Sequence, residues 1–152
     1  SPAVFLSSLQ SPSSHFNQTI QEWGVKRVVL DSITHFTHLT SDPIKLREIY
    51  NHVINGLKRE GVTTILTSED RATGLAFRER GALSFLVDTV IIMRYVEIES
   101  TMQRAILILK MRSSDHDRRI RRFEIKPGGI VIGDCFEGRE GLLTGSPRRV
   151  AI

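Results

Sequence analysis

Residues 42–67, DPIKLREIYNHVINGLKREGVTTILT, decide the fold. Asp42 has a side chain able to accept from the free amides of a helix start. Pro43 suits the first helical position, whose N–H lacks a partner anyway. Leu46, Ile49, Tyr50, Val53, Ile54 and Leu57 recur at helical steps, an amphipathic stripe closed by Gly61. Val62 to Thr67 (VTTILT) then reads as a buried strand. Upstream, Lys26 to Asp31 (KRVVLD) is a second short strand. Its Val28-Val29-Leu30 shows no polar alternation, which predicts burial on both faces and a central place in the sheet. Strand, helix, strand makes a βαβ unit and so a parallel sheet.

Working outward, residues 1–14 are rich in Ser and Pro and predict a loop or frayed end. Phe16, Ile20 and Trp23 sit at helical spacing, and Gly24 closes that segment. Ser68 to Gly81 is irregular and charged, with weak helical character. Three strands follow, Asp88 to Val96, Arg104 to Arg112 and Arg119 to Lys126. Pro127-Gly128-Gly129 predicts a tight turn before Ile130 to Ile132. The class is therefore α/β, a parallel sheet with flanking helices and an antiparallel C-terminal extension. The expected organisation is a domain over 15–133 and a loop-like tail over 134–152.

Composition sets bounds. With 152 residues, 40% of them hydrophobic, the chain is long enough for one domain with a real core. A formal charge of +4 permits a polyanionic partner without demanding one. Cys135 is the single cysteine, so no internal disulfide forms, which fits a reducing, cytoplasmic setting. With no partner His identifiable, Cys135 reads as a partly buried thiol and not a nucleophile. The apolar runs Val90 to Met93 and Ala105 to Leu109 are too short for a membrane-crossing helix. The first residues do not read as a leader, and a start at Ser1-Pro2 reads as a trimmed piece of something longer.

Two places carry chemistry. In RAILILKMRSSDH (Arg104 to His116), strand alternation puts Ile106, Ile108, Lys110 and Arg112 on one side and Leu107, Leu109 and Met111 on the other. Two cations aimed the same way at a strand end suit a phosphate; an ordinary basic strand end is the plain alternative. Asp31 follows an apolar strand directly. Open α/β sheets bind ligands beyond the carboxyl ends of their strands, so Asp31 is placed to hold magnesium through water, or simply to cap the next turn. Thr67, Ser68 and Glu69 end the neighbouring strand. His35 and His38 form an H-x-x-H without a third ligand, so zinc is not expected. Arg118, Arg119, Arg121 and Arg122 fall on both faces of one strand, with Phe123 the only nearby ring. That pattern fits a solvated edge or a subunit interface better than a nucleic-acid stripe.

The ordered segments VVLDS, ILTSE, SFLVDTVIIMRYVEIES, RAILILKMRSSDHD and GLLTGSPRR resemble the KaiC family of RecA-like ATPases. The resemblance runs from about Trp23 to Arg149 and is most specific from Ser84 to Arg122. Within the family the chain is most similar to the second, kinase-bearing repeat of the circadian-clock members, or to a single-domain relative. The resemblance implies ATP and magnesium as cofactors, with Asp31 in the role of the Walker B aspartate. It implies sensor-like roles for Ser68 and Glu69, a place near adenine for Phe85, and an approach to the nucleotide by His116 and Asp117. Lys110 and Arg112 match the basic pair that reaches the neighbouring subunit's ATP beside the γ-phosphate. Ser84 and Phe85 stand where the kinase repeat has adjacent phosphorylated serine and threonine, which leaves Ser84 as the one hydroxyl.

The resemblance implies, for the full-length protein, a homo-oligomeric ring of six subunits, regulatory protein partners, and ATP-dependent signalling with serine/threonine autokinase activity. Nucleic acid and membrane are not expected partners. One part is missing from the pattern. A phosphate-binding loop needs G-x-x-x-x-G-K-[ST], whose amides cradle phosphates and whose lysine reaches the terminal ones. No lysine in this sequence follows a glycine. The family has that loop upstream of the Walker B strand, so the chain resembles the C-terminal two-thirds or so of a KaiC-type domain and is expected to be inactive alone. A recombinase-like DNA-binding ATPase and a non-catalytic interaction module remain as other readings.

Overall fold

The computed structural model describes residues 1–11, 13–69, 83–144 and 148–149. They fall into two compact units, one up to residue 69 together with 83–86, the other from residue 87 onward. Most of the irregular segment expected between Ser68 and Gly81 lies outside the described residues.

The first unit contains α1 (Pro2–Gln10), α2 (His15–Glu22), β1 (Arg27–Leu30), a 3-10 turn (Ile33–His38), α3 (Pro43–Arg59) and β2 (Thr63–Leu66). The βαβ unit forms as the sequence predicts. β1 and β2 pair in parallel, from Arg27 opposite Thr63 to Leu30 opposite Leu66. Asp42 caps α3, its Oδ1 accepting from the amides of Ile44 at 2.8 Å and Lys45 at 3.5 Å. Gly61, at φ +68°, ends the helical segment in the left-handed conformation that only glycine takes without cost. The stripe on α3 buries Tyr50, Val53 and Leu57 against Ile20, Ile33, Phe36 and Val62.

Three expectations need correction. Residues 1–14 are not a loop or frayed end, because Pro2–Gln10 form α1. Pro2 is acceptable in the first helical turn, and Phe5, Leu6 and Leu9 supply an apolar side that packs into the core. Gly56 on α3 makes room for it; a Cβ there would lie 3.2 Å from the Leu9 Cβ. Secondly, β1 and β2 form a two-stranded sheet among the described residues, which gives β1 one strand neighbour where the expectation was a central strand with two. Burial alternates along both, and Val29 and Ile65 are 64% and 60% exposed. An unbroken apolar run marks what a strand could bury, not what its own chain provides to cover it. Thirdly, the chain beyond Gly133 is not simply loop-like, as the second unit makes clear.

That unit is built on an antiparallel sheet, in order β3 (Thr89–Ile98), β4 (Thr101–Met111), β5 (Arg121–Lys126) and β6 (Gly129–Cys135). The turn between β5 and β6 relies on Gly128 and Gly129, at φ +103° and +131°. Register shifts along this pair, with Arg121 opposite Cys135 but Phe123 opposite Ile132, so β6 takes up an extra residue and continues past Gly133. It delivers Phe136 into a cluster with Val96, Ile98, Ala105 and Leu142. Two-residue strands β7 (Arg139–Glu140) and β8 (Arg148–Arg149) pair beyond it. No helix among the described residues is long and apolar enough to cross a membrane.

Candidate functional site

The parallel register of the first unit carries on past the strands. One step beyond Leu30 and Leu66, Asp31 and Thr67 stand side by side at the carboxyl ends, and the Thr67 hydroxyl donates to Asp31 Oδ1. The Thr67 amide donates to the Leu30 carbonyl at 3.1 Å, and the Ile33 amide donates to the Thr67 carbonyl at 2.9 Å, fixing both strand ends. Asp31 is exposed, as are Ser68 and Glu69. The Glu69 amide is tied to Thr34 Oγ1 at 3.1 Å. Magnesium usually keeps several waters and takes one or two carboxylates. An accessible carboxylate oriented by a neighbouring hydroxyl fits that requirement. No group of three or more metal-binding side chains occurs among the described residues, His35 and His38 included.

In the second unit the expected alternation along β4 is interrupted. Ile91 lies opposite Ile108 but Val90 lies opposite Lys110, so Leu109 is an extra residue, a β-bulge. Beyond it the new register holds through Met111, and the Arg112 amide donates to the Asp88 carbonyl at 2.9 Å. Directly paired residues share a face, and Val90 shares one with Ile92. Lys110 and Arg112 are therefore on one face together, as expected, but it is the face of Ala105 and Leu107, not that of Ile106 and Ile108. An uninterrupted Ile-Leu-Ile-Leu run has no polar residue to mark where the phase changes.

Both cations are held by the segment just before β3. Lys110 Nζ donates to the Val87 carbonyl at 2.8 Å, and Arg112 Nη1 lies 3.4 Å from Asp88 Oδ1. Further along, Asp117 accepts from Arg119 Nε at 2.9 Å and Nη2 at 3.1 Å, and from Arg121 Nε at 2.8 Å. These bonds, led by the one from the Arg119 side chain, hold the Asp117 carboxyl far below the usual carboxylate range. Its oxygens serve the connection between β4 and β5. His116 beside it has a buried Nδ1 with no hydrogen-bond partner among the described residues. Ser84 is half-buried and Phe85 is 66% exposed. Arg122 stacks over the Phe136 ring at 5.1 Å, so three of the four clustered arginines are engaged within their own unit.

Asp31, Ser68 and Glu69 thus belong to one unit and Lys110, Arg112, His116 and Asp117 to the other. The sequence reading did not find the contribution of Thr67 to Asp31, although the register of β1 and β2 carries it, nor Asp88 as a partner of Arg112.

Asp117 gives a pH expectation. A carboxyl whose folded pKa is depressed contributes stability above its unfolded pKa, and that contribution is lost as pH falls through the folded value. The carboxyl carbon shift of Asp117 should therefore remain that of a carboxylate at acid pH where ordinary aspartates are already protonated, its midpoint falling below the ordinary aspartate range. A titration midpoint within that range would contradict the two-arginine clamp.

A parallel βαβ unit with a polar carboxyl end, together with an antiparallel sheet ending in a cation pair, is an α/β architecture of the RecA type. The KaiC ATPase family pattern matches residues 6–135, and this chain belongs to that family. It is 33% identical over 134 residues to the circadian clock oscillator protein KaiC of Picosynechococcus sp., covering 88% of this chain. It is likewise 33% identical over 134 residues to KaiC of Synechococcus elongatus. The chain spans about a quarter of these relatives, 26% of each. A KaiC-like protein of the archaeon Pyrococcus horikoshii has a similar structure. The TM-score is 0.67 and the identity 29%, covering 88% of this chain and 57% of that one. Nucleotide binding is the property the family implies.

Proposed function

We propose that this chain carries the magnesium-binding aspartate and the trans-acting cations of a KaiC-type ATP site. The full-length protein would be a homo-oligomeric, hexameric ring in the cytoplasm. It would work in ATP-dependent signalling, with regulatory protein partners and autokinase activity at Ser84, where Phe85 offers no second hydroxyl. The observation that carries this proposal is the pair Lys110 and Arg112, side by side on one face beyond the Leu109 bulge. Exposed apolar side chains on the antiparallel sheet, Ile91, Met93 and Tyr95 among them, favour a chain that meets other protein surface.

In this mechanism ATP would supply the phosphoryl group, and a bound magnesium ion would supply neutralisation of its charge. Asp31 would hold that ion through water, and the Thr67 hydroxyl fixes the carboxylate. Lys110 and Arg112 donate to phosphoryl oxygens of the neighbouring subunit, where negative charge develops. A phosphate loop is needed to hold the nucleotide, and these residues supply none. Nucleic acid is the weaker reading, because Arg119 and Arg121 are committed to Asp117.

The 152-residue chain alone is therefore expected to show no saturable binding when titrated with ATP and magnesium through the micromolar range. Micromolar affinity in calorimetry, without any added partner, would overturn this.

A further inference from the structure

We propose that Asp88 is a positioning residue for Arg112 and that Val87–Asp88 forms the anchor holding the cation pair ready for phosphate. This rests on the preceding assignment of Lys110 and Arg112 and extends it to residues that assignment does not include. The bulge at Leu109 brings both cations opposite this short segment. There Arg112 is held twice, by its amide on the Asp88 carbonyl and by its guanidinium on the Asp88 carboxylate, and Lys110 is held by the Val87 carbonyl. Bulges near active sites commonly serve to re-aim a side chain.

An ammonium has three donors and a guanidinium five, so a cation can be oriented by its own chain and still address an anion. Long flexible side chains lose considerable rotamer freedom on ordering. Restricting them beforehand lowers what remains to be lost when phosphate charge develops. The Arg112 and Asp88 side chains are 48% and 58% exposed, so this ion pair adds little to folding, and its value lies in orientation.

The test uses the full-length protein and follows kcat and KM for ATP separately. Asp88→Ala should lower kcat about 10-fold and leave KM within about twofold, because nucleotide affinity resides elsewhere. Asp88→Asn, which keeps the side-chain volume, should lower kcat in the same direction, and Asp88→Glu should regain part of the rate. In an Arg112→Ala background, Asp88→Ala should cost nothing further, since its effect passes through Arg112. Wild-type kcat in both Asp88→Ala and Asp88→Asn would overturn the proposal. So would an undiminished loss on top of Arg112→Ala. If Arg112→Ala alone keeps wild-type kcat, the assignment of the cation pair fails first, and the anchor fails with it.

Discussion

Replacing both cations, Lys110→Ala with Arg112→Ala, is expected to lower ATP hydrolysis by the full-length protein about 10³-fold while changing nucleotide affinity little. Cations supplied across an interface act on charge that develops in the transition state, so their removal appears in kcat. The two lie at the end of β4, with their heads on the Val87 carbonyl and the Asp88 carboxylate, outside the buried cluster of that unit. Truncating them should spare the sheet, and circular dichroism should be unchanged. Steady-state hydrolysis with a melting curve checks both points. A loss below about threefold would remove the pair from the reaction.

Leu57→Ala should be among the most damaging core changes, costing about 2–5 kcal/mol. Leu57 is 1% exposed and lies in the cluster with Val53, Tyr50, Phe36 and Val62, where α3 closes the βαβ unit. Alanine there removes apolar contacts and leaves a cavity that packed neighbours fill only partly. Val29→Ala, on the exposed face of β1, should cost under about 1 kcal/mol. Urea denaturation of the two variants gives the comparison through their midpoints at unchanged slope. Equal costs would mean that the first unit is not packed around α3.

The βαβ unit was legible because its signals agree: Asp42-Pro43 at the helix start, the Leu46 to Leu57 stripe, Gly61 at the end, and two β-branched runs alongside. Helix α1 was hidden because serine and proline dominate residues 1–14 as a whole, while what seats it is a contact 47 positions away in sequence, Leu9 with Gly56. The hairpin between β3 and β4 was read short on both sides of its turn, stopping at Val96 and resuming at Arg104 where the strands run on to Ile98 and start at Thr101. Its turn is Glu99-Ser100, at φ +52° and +60°, and lacks the Asn-Gly or Asp-Gly signature that announces such a turn. The pairing of Lys110 with Arg112 was legible from a two-residue spacing, but their face was not, because a bulge is a property of the partner strand's register as much as of the sequence. Asp117 was visible as an acid near the cations; its commitment to Arg119 and Arg121 depends on how the connection folds.

The claim that Lys110 and Arg112 act across a subunit boundary is tested most directly by mixing two inactive forms of the full-length protein. One carries Lys110→Ala and Arg112→Ala, and the other carries a substitution that disables its phosphate loop. Each should be inactive when pure. Rings assembled from an equal mixture should recover part of the hydrolysis, because some interfaces then combine an intact loop with intact cations. If the rings demonstrably exchange subunits and no activity returns, the pair does not act in trans and the account fails.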